Sequence, residues 1–149
     1  MPKIPVLIAT IWLLACGSDS PLEPLEGLPH ALATNSCGPA DASVVLVYIA
    51  SQAIELPQPV APYLQVHIPV SFGELARGDV FEVGESLEDA NVWFYRSGLE
   101  TRIATRGEVG VTHTDASAIS GYVDLQFEDG ATLRGSYTAS WHPRQLFCG

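Results

Sequence analysis

The placing of glycine and proline most constrains how this chain can fold. Beyond residue 40 these residues interrupt the sequence repeatedly, and no stretch of ten or more residues carries apolar side chains at helical spacing. The intervening runs are short and rich in β-branched and aromatic residues, which favours strands. The predicted strands cover 44–49, 63–70, 79–83, 92–96, 100–105, 108–112, 119–127 and 132–141. We therefore expect an all-β fold, an antiparallel β-sandwich of immunoglobulin-like or jelly-roll-like type, in which the continuous apolar run 44–49 is a central strand.

The clearest local pattern is a hairpin near the C-terminus, where apolar and polar residues alternate on both sides of a glycine turn. A three-residue loop, 128–130, with Gly130 in the left-handed region, would pair Leu125 with Leu133 and keep the apolar side chains on one face. The same register sets Tyr137 opposite Gly121, where the ring can cover bare backbone.

The N-terminus has the organisation of a secretory signal peptide. Lys3 precedes an apolar run that ends at Ala15, and this run is shorter than the roughly 20 residues needed to span a bilayer. Leu13-Leu14-Ala15-Cys16 resembles the lipobox of bacterial lipoproteins, in which the cysteine is lipidated and the signal is cleaved before it. The resemblance implies a helical signal peptide over 1–15 and lipidation of Cys16. Several acyl chains would hold the protein on a membrane firmly.

The residue after the lipidated cysteine influences sorting in this family, where aspartate favours the inner membrane. Gly17 stands there, so the resemblance implies the outer membrane of a bacterial cell envelope, facing the periplasm or the cell surface. Residues 16–36 contain three prolines and little apolar periodicity, which predicts a lipidated flexible tether with room for one helical turn over 28–33. Fully extended, this tether would reach roughly 60 Å. The β-sandwich domain would then occupy 37–149.

The charge of the chain excludes some partners. Loss of Lys3 with the signal peptide leaves six basic residues, all arginine, against 17 acidic ones, a net charge of −11. Such a surface repels phosphate, so we expect no nucleic-acid partner and no charge-driven attraction to anionic lipid. The expected membrane contact is the N-terminal lipid, and the acidic surface would keep the domain soluble.

Two cysteines remain once Cys16 is assigned to lipid. Cys37 and Cys148 bracket the domain, and export would place them in an oxidising compartment where such a pair forms a disulfide. A zinc site would need further ligands at short spacing, which neither cysteine has. The bridge requires the two Cα atoms to lie within about 7 Å. A C-terminal hairpin followed by a cysteine also resembles β-sandwich domains of uncharacterised exported lipoproteins, a resemblance that implies no activity.

Enzyme motifs are absent from the sequence. His113 and Asp115 would share one face of a strand and could hydrogen-bond or hold a metal, but no third ligand is visible. There is no G-x-S-x-G elbow and no glycine-rich phosphate loop, and the acidic stretch 82–89 lacks calcium-loop spacing. We therefore expect no cofactor, no metal and no catalytic residue, with His113 as the position around which an enzyme hypothesis would be built.

Residues 91–96 contain the only run of three aromatics. Side chains alternate along a strand, so Val92 and Phe94 would point inward while Trp93 and Tyr95 form an outer ridge. Such a ridge can stack on a sugar or on a partner's apolar patch. Alternatively, the proline-rich loop 55–62 folds over the two rings.

Three functions follow as hypotheses. The first is a non-enzymatic envelope lipoprotein that is structural or binds another envelope protein. The second is a small-ligand or glycan-binding module that uses Trp93 and Tyr95. The third is an enzyme with a site near His113. A deep pocket with histidine and carboxylate groups would favour the enzyme, and a shallow aromatic face would favour the glycan binder.

Overall fold

A computed structural model describes residues 22–38, 41–57 and 59–148. Eight strands make up most of this part: β1 (His30–Cys37), β2 (Ser43–Ala50), β3 (Tyr63–Ile68), β4 (Val80–Glu82), β5 (Asn91–Ser97), β6 (Glu100–Asp115), β7 (Ala118–Phe127) and β8 (Thr132–Trp141). A short 3-10 helix spans Phe72–Glu74. The all-β prediction is confirmed. The predicted signal peptide and Cys16 lie outside the described residues.

Seven of the strands close into a barrel in the order β5-β3-β2-β1-β8-β7-β6, with β6 paired back to β5. Neighbouring strands are antiparallel except β1 and β8, which pair in parallel through Leu32–Ser140 and Ala33–Trp141. This closed, mixed sheet differs from the expected sandwich of two antiparallel sheets. The difference arises because β6 is long enough to pair with β5, β4 and β7, so that one sheet continues where a sandwich would have an open edge.

Strand β6 replaces the two short strands predicted over 100–105 and 108–112. Gly107 has a φ of 125° within it, next to a register shift between Ala104 and Arg106 in the pairing with β7. A side chain at Gly107 would collide with the carbonyl oxygen of Asp124. The glycine therefore permits a β-bulge that bends the strand without ending it, whereas the sequence pattern suggested a break.

The segment predicted to be a tether belongs largely to the domain. Its residues 30–36 lie in β1 between β2 and β8, and no helical turn occurs over 28–33. Leu25 and Leu28 are buried, and the backbone N–H of Leu25 donates to the carbonyl of Ser136 at 3.1 Å. The sequence pattern did not predict β1 because its apolar alternation is weak. Alanines occupy its inward positions, including the fully buried Ala33.

The core fills the barrel interior, and strand β2 is buried on both faces as predicted. Its inward side chains are Val45, Val47 and Ile49. Its outward side chains belong to a second apolar cluster, the outer cluster, on the barrel wall. The buried members of the outer cluster are Leu46, Tyr48, Ala50 and Tyr63, and packed against them are Leu32, Ile54, Leu56, Ala61 and Tyr95.

The C-terminal hairpin has the predicted register. Leu125 pairs with Leu133 and Gly121 with Tyr137, and Gly130 has a φ of 82°. The Tyr137 ring lies over Gly121, where an added Cβ would approach the tyrosine hydroxyl to 2.8 Å. The turn thus fixes which face of both strands enters the core.

The disulfide between Cys37 and Cys148 is present, with its Cα atoms 5.6 Å apart, as predicted. The chain after β8 runs beside β1 to reach it. The side-chain amide of Asn35 donates to the Arg144 carbonyl at 2.7 Å, and the Arg144 N–H donates back to Asn35 at 2.6 Å. The bridge therefore ties the C-terminal segment to the strand that closes the barrel.

Candidate functional site on the aromatic face of β5

Strand β5 presents its residues as the sequence predicted. Val92 is 1% exposed and Phe94 packs against the interior core, 6.2 Å from Phe127 between ring centroids. Trp93 and Tyr95 lie on the outer face, and both are partly buried. The two outer rings have different neighbours, so they differ in what they can do.

Tyr95 belongs to the outer cluster. Its ring stacks on Tyr63 with centroids 4.6 Å apart, and Tyr63 meets Tyr48 edge-on at 6.1 Å. The proline-rich segment after β2 contributes Ile54 and Leu56 to the same cluster. The alternative of a loop folded over the aromatics therefore describes Tyr95, whose contacts make it part of the packed wall.

Trp93 faces polar neighbours from β3. It pairs across the strands with Gln65 and meets the His67 ring edge-on at a centroid distance of 5.1 Å. The Gln65 side-chain nitrogen lies 3.0 Å from Nε2 of His67. With the amide oriented this way its nitrogen donates to Nε2, which corresponds to the neutral imidazole with its proton on Nδ1. Burial lowers the pKa of His67 below its usual 6.5, which agrees with a neutral ring.

A groove of about 410 Å³ runs beside Trp93 on the barrel wall. Its lining includes Trp93 and Ile103, and Ile103 is 45% exposed. Polar residues in the lining include Glu85, Asn91 and Glu128. A lining that combines aromatic and aliphatic side chains with a few hydrogen-bonding groups is the usual composition of a small-ligand site.

A smaller recess of about 120 Å³ shares Glu85 and Asn91 with the groove and also includes His67. Its other side is the acidic loop that precedes β5. Within that loop the Asp89 carboxylate accepts from the Ser86 N–H at 2.9 Å, so it stabilises a turn. The side-chain amide of Asn91 donates to the Asp89 carbonyl at 3.2 Å, so Asn91 also stabilises this loop, while Glu85 lines both the groove and the recess.

His113 and Asp115 do share a face near the tip of the β6–β7 hairpin. Nε2 of His113 lies 3.2 Å from the Asp115 carboxylate, and both side chains are exposed. The other Asp115 oxygen accepts from the hydroxyl and N–H of Ser117, both at 2.7 Å. These bonds from Ser117, and then the one from His113, lower the pKa of Asp115 to about 2. Asp115 therefore holds the turn at the tip of the hairpin, and neither His113 nor Asp115 lines the groove or the recess beside Trp93.

The sequence pattern did not identify three neighbours of Trp93, which are Gln65, His67 and Ile103. A partial signal for the first two was present, because polar residues alternate with buried Leu64 and Val66 in β3. The register that brings them beside Trp93 is set by pairing between β3 and β5, which are not consecutive in the chain. Composition within one strand carries no information on that register.

The part of the chain that the structure describes holds no cluster of three or more histidine, cysteine, aspartate or glutamate side chains suited to a metal ion. Among residues 22–38, 41–57 and 59–148, no helix is both long and apolar enough to cross a bilayer. No family model, no curated protein and no solved structure matches this chain.

Proposed function

We propose that this chain is a lipid-anchored lipoprotein of the bacterial cell envelope, sorted to the outer membrane, whose β domain is a non-enzymatic interaction module. The main support is the use of the three cysteines. Cys37 and Cys148 form a disulfide, a bond typical of exported proteins, and this leaves Cys16 in the lipobox-like Leu-Leu-Ala-Cys sequence for the lipid.

Lipidation is tested by Cys16→Ser, with Ser18→Ala as the matched control that leaves the motif intact. We expect Cys16→Ser to leave the membrane fraction and to lose incorporation of an alkyne-tagged palmitate, while Ser18→Ala keeps both. Palmitate labelling and membrane association that persist in Cys16→Ser would refute the proposal.

The groove beside Trp93 favours a second candidate function, a glycan-binding module. A sugar has an apolar C–H face that stacks on an indole ring and hydroxyls that bond to amides and carboxylates. The groove lining supplies such groups in the side-chain oxygen of Asn91 and the carboxylate of Glu85. Tyr95 stacks within the outer cluster, so the binding role is assigned to Trp93 alone.

The probe for this second function is a soluble N-acetylglucosamine tetramer. In a Trp141→Phe background Trp93 is the single tryptophan beyond the signal peptide, so ligand stacking should change its emission. Trp93→Ala should remove binding, measured by calorimetry, with little loss of stability, whereas Tyr95→Ala should lower stability and keep binding. Unchanged emission, or equal binding by Trp93→Ala and the parent, would contradict this function for that class of sugar.

A further inference from the structure

Residues 22–28, the first that the structure describes, are held much closer to the barrel than a free tether would be. Leu25 is 3% and Leu28 7% exposed. The N–H of Ser136 donates to the Glu23 carbonyl at 2.8 Å, and its hydroxyl donates to the Leu22 carbonyl at 2.9 Å. Residues 22–28 are therefore part of the domain, because they cover the edge of β8 that β1 leaves unpaired.

The distance between Cys16 and the barrel is then limited by covalent geometry. Six peptide steps separate Cys16 from Leu22, and a fully extended chain covers at most about 3.6 Å in each. The lipidated residue must lie within about 22 Å of Leu22, in contrast to the roughly 60 Å of a tether over the whole of 17–36.

The direction of the chain indicates which end of the barrel lies towards that residue. Pro24 and Ser136 form a parallel bridge, so residues 22–24 run parallel to β8, with Leu22 nearer than Pro24 to the start of β8 and the turn between β7 and β8. The turn between β5 and β6 lies at the same end, because Arg102 of β6 forms an ion pair with Asp129 at 3.1 Å. We call this end, formed by the turns 98–99 and 128–130, the anchor end.

The anchor end also has the surface chemistry that a bilayer tolerates. Leu99 at its tip is 101% exposed. Two carboxylates at this end are paired with arginines, Glu100 with both Arg96 and Arg102, and Asp129 with Arg102, while Glu128 forms no ion pair with the described residues. Pairing offsets negative charge at this end of a chain whose net charge is −10, which weakens repulsion from anionic lipid.

We propose that the anchor end faces the lipid surface, with the β5–β6 turn and Leu99 at the level of the headgroups. This inference rests on the proposed lipidation of Cys16 and adds an orientation to it. The opposite end of the barrel, with the β6–β7 turn around Ser117, would point away from the membrane.

The test uses the full acylated protein in vesicles of phosphatidylethanolamine and phosphatidylglycerol, with its disulfide oxidised. A bimane probe is attached at Leu99→Cys or, as the matched control at the far end, at Ser117→Cys. Nitroxide-labelled lipid should quench the probe at position 99 several-fold more than the probe at position 117. Equal quenching in protein that sediments with the vesicles overturns the orientation and leaves lipidation standing.

A second variant tests the role of the short connection. A flexible glycine–serine segment twice the length of residues 17–21, inserted after Ser18, should abolish the difference between the two probes without releasing the protein. A difference that survives the insertion would show that the connection does not set the orientation. Protein that does not sediment with vesicles at all would instead overturn the proposed lipidation, and the orientation with it.

Discussion

Tyr137 and Tyr122 sit on neighbouring strands, and the same substitution should change stability in opposite directions at the two positions. Tyr137 is 6% exposed, and its buried hydroxyl has no hydrogen-bond partner among the described residues. The Tyr122 hydroxyl is partly buried and donates to the Glu108 carboxylate at 2.8 Å. Replacing each tyrosine by phenylalanine removes one oxygen and keeps the ring.

The expected change in the free energy of unfolding follows from the cost of an unpaired buried polar group, which is about 1–3 kcal/mol. Tyr137→Phe removes that cost but also loses the dispersion contacts of the oxygen, so we expect the free energy of unfolding to rise by about 1 kcal/mol. Tyr122→Phe loses a hydrogen bond to a charged acceptor, so we expect a fall of about 1–2 kcal/mol.

The pH dependence gives an independent check on Tyr137. Burial raises its pKa far above the 10.0 of an unperturbed tyrosine. Above pH 10 the unfolded state therefore releases a proton that the folded state retains, and the stability of the wild type falls as pH rises. Phenylalanine has no such proton, so the advantage of Tyr137→Phe should grow by about 1.4 kcal/mol between neutral pH and a pH of about 11.

Guanidinium unfolding followed by tryptophan fluorescence, with the disulfide intact, measures both effects. The other tyrosines contribute equally to the wild type and to Tyr137→Phe, so their ionisation cancels in the difference. A Tyr137→Phe variant less stable than the wild type at neutral pH would contradict a cost from the unpaired hydroxyl. A difference in stability that stays constant at alkaline pH would contradict the raised pKa of Tyr137.

Three further outcomes are expected. Replacing Cys37 and Cys148 together by serine should lower the free energy of unfolding by about 4–5 kcal/mol on the chain-entropy model, because the bridge spans 111 residues; a loss below about 1 kcal/mol in chemical unfolding would contradict it. Gly107→Ala should lower the free energy of unfolding, measured by thermal unfolding, by more than about 2 kcal/mol, because the added methyl meets a carbonyl oxygen at a positive φ. An unchanged free energy of unfolding would argue against the bulge. Ser117→Ala should raise the pKa of Asp115 from about 2 towards 3.8, as measured by carboxyl NMR. In the wild type the stabilisation from Asp115 is present above pH 3.8 and lost as the pH falls to about 2. An Asp115 pKa that is unchanged in Ser117→Ala would show that the Ser117 hydroxyl does not cause the low pKa.

The local features of the fold were predictable because they depend on neighbours in sequence. The pairing of Leu125 with Leu133 follows from a period of two on each strand and a glycine that accepts a positive φ. The inward pair Val92 and Phe94 follows from the same alternation. The Cys37–Cys148 bridge followed from counting cysteines and assigning a compartment, which needs no knowledge of the fold.

Closure of the barrel was not predictable in this way. It depends on two residue pairs between β1 and β8, Leu32 with Ser140 and Ala33 with Trp141, which are more than 100 positions apart. Apart from Leu32 the residues of β1 are small or polar, so their burial comes from the strands and the C-terminal segment around them and not from their own pattern. A contact of this kind is set by the global arrangement of strands, which the alternation in any one strand does not contain.

Only the local part of the candidate site was predictable from the sequence. Trp93 and Tyr95 share a face because they are two residues apart, and this much is local. Their different roles depend on cross-strand neighbours, since Tyr95 meets Tyr63 while Trp93 meets Gln65 and His67. The sequence therefore located the aromatic face but could not separate the packed ring from the ring that lines a groove.

The position of the groove on the barrel bears on which partners can reach it. β5, which carries Trp93, is separated from β8 by β6 and β7 in one direction and by β3, β2 and β1 in the other. The N-terminal segment 22–28 lies along β8, so Trp93 is on the far side of the barrel from it, while the groove extends to Glu128 in the turn at the anchor end. If the anchor end faces lipid as proposed, the groove therefore opens on the side of the barrel close to the bilayer surface. A connection of at most about 22 Å would keep it there, so a ligand of the groove would be a glycan or protein segment close to the membrane surface.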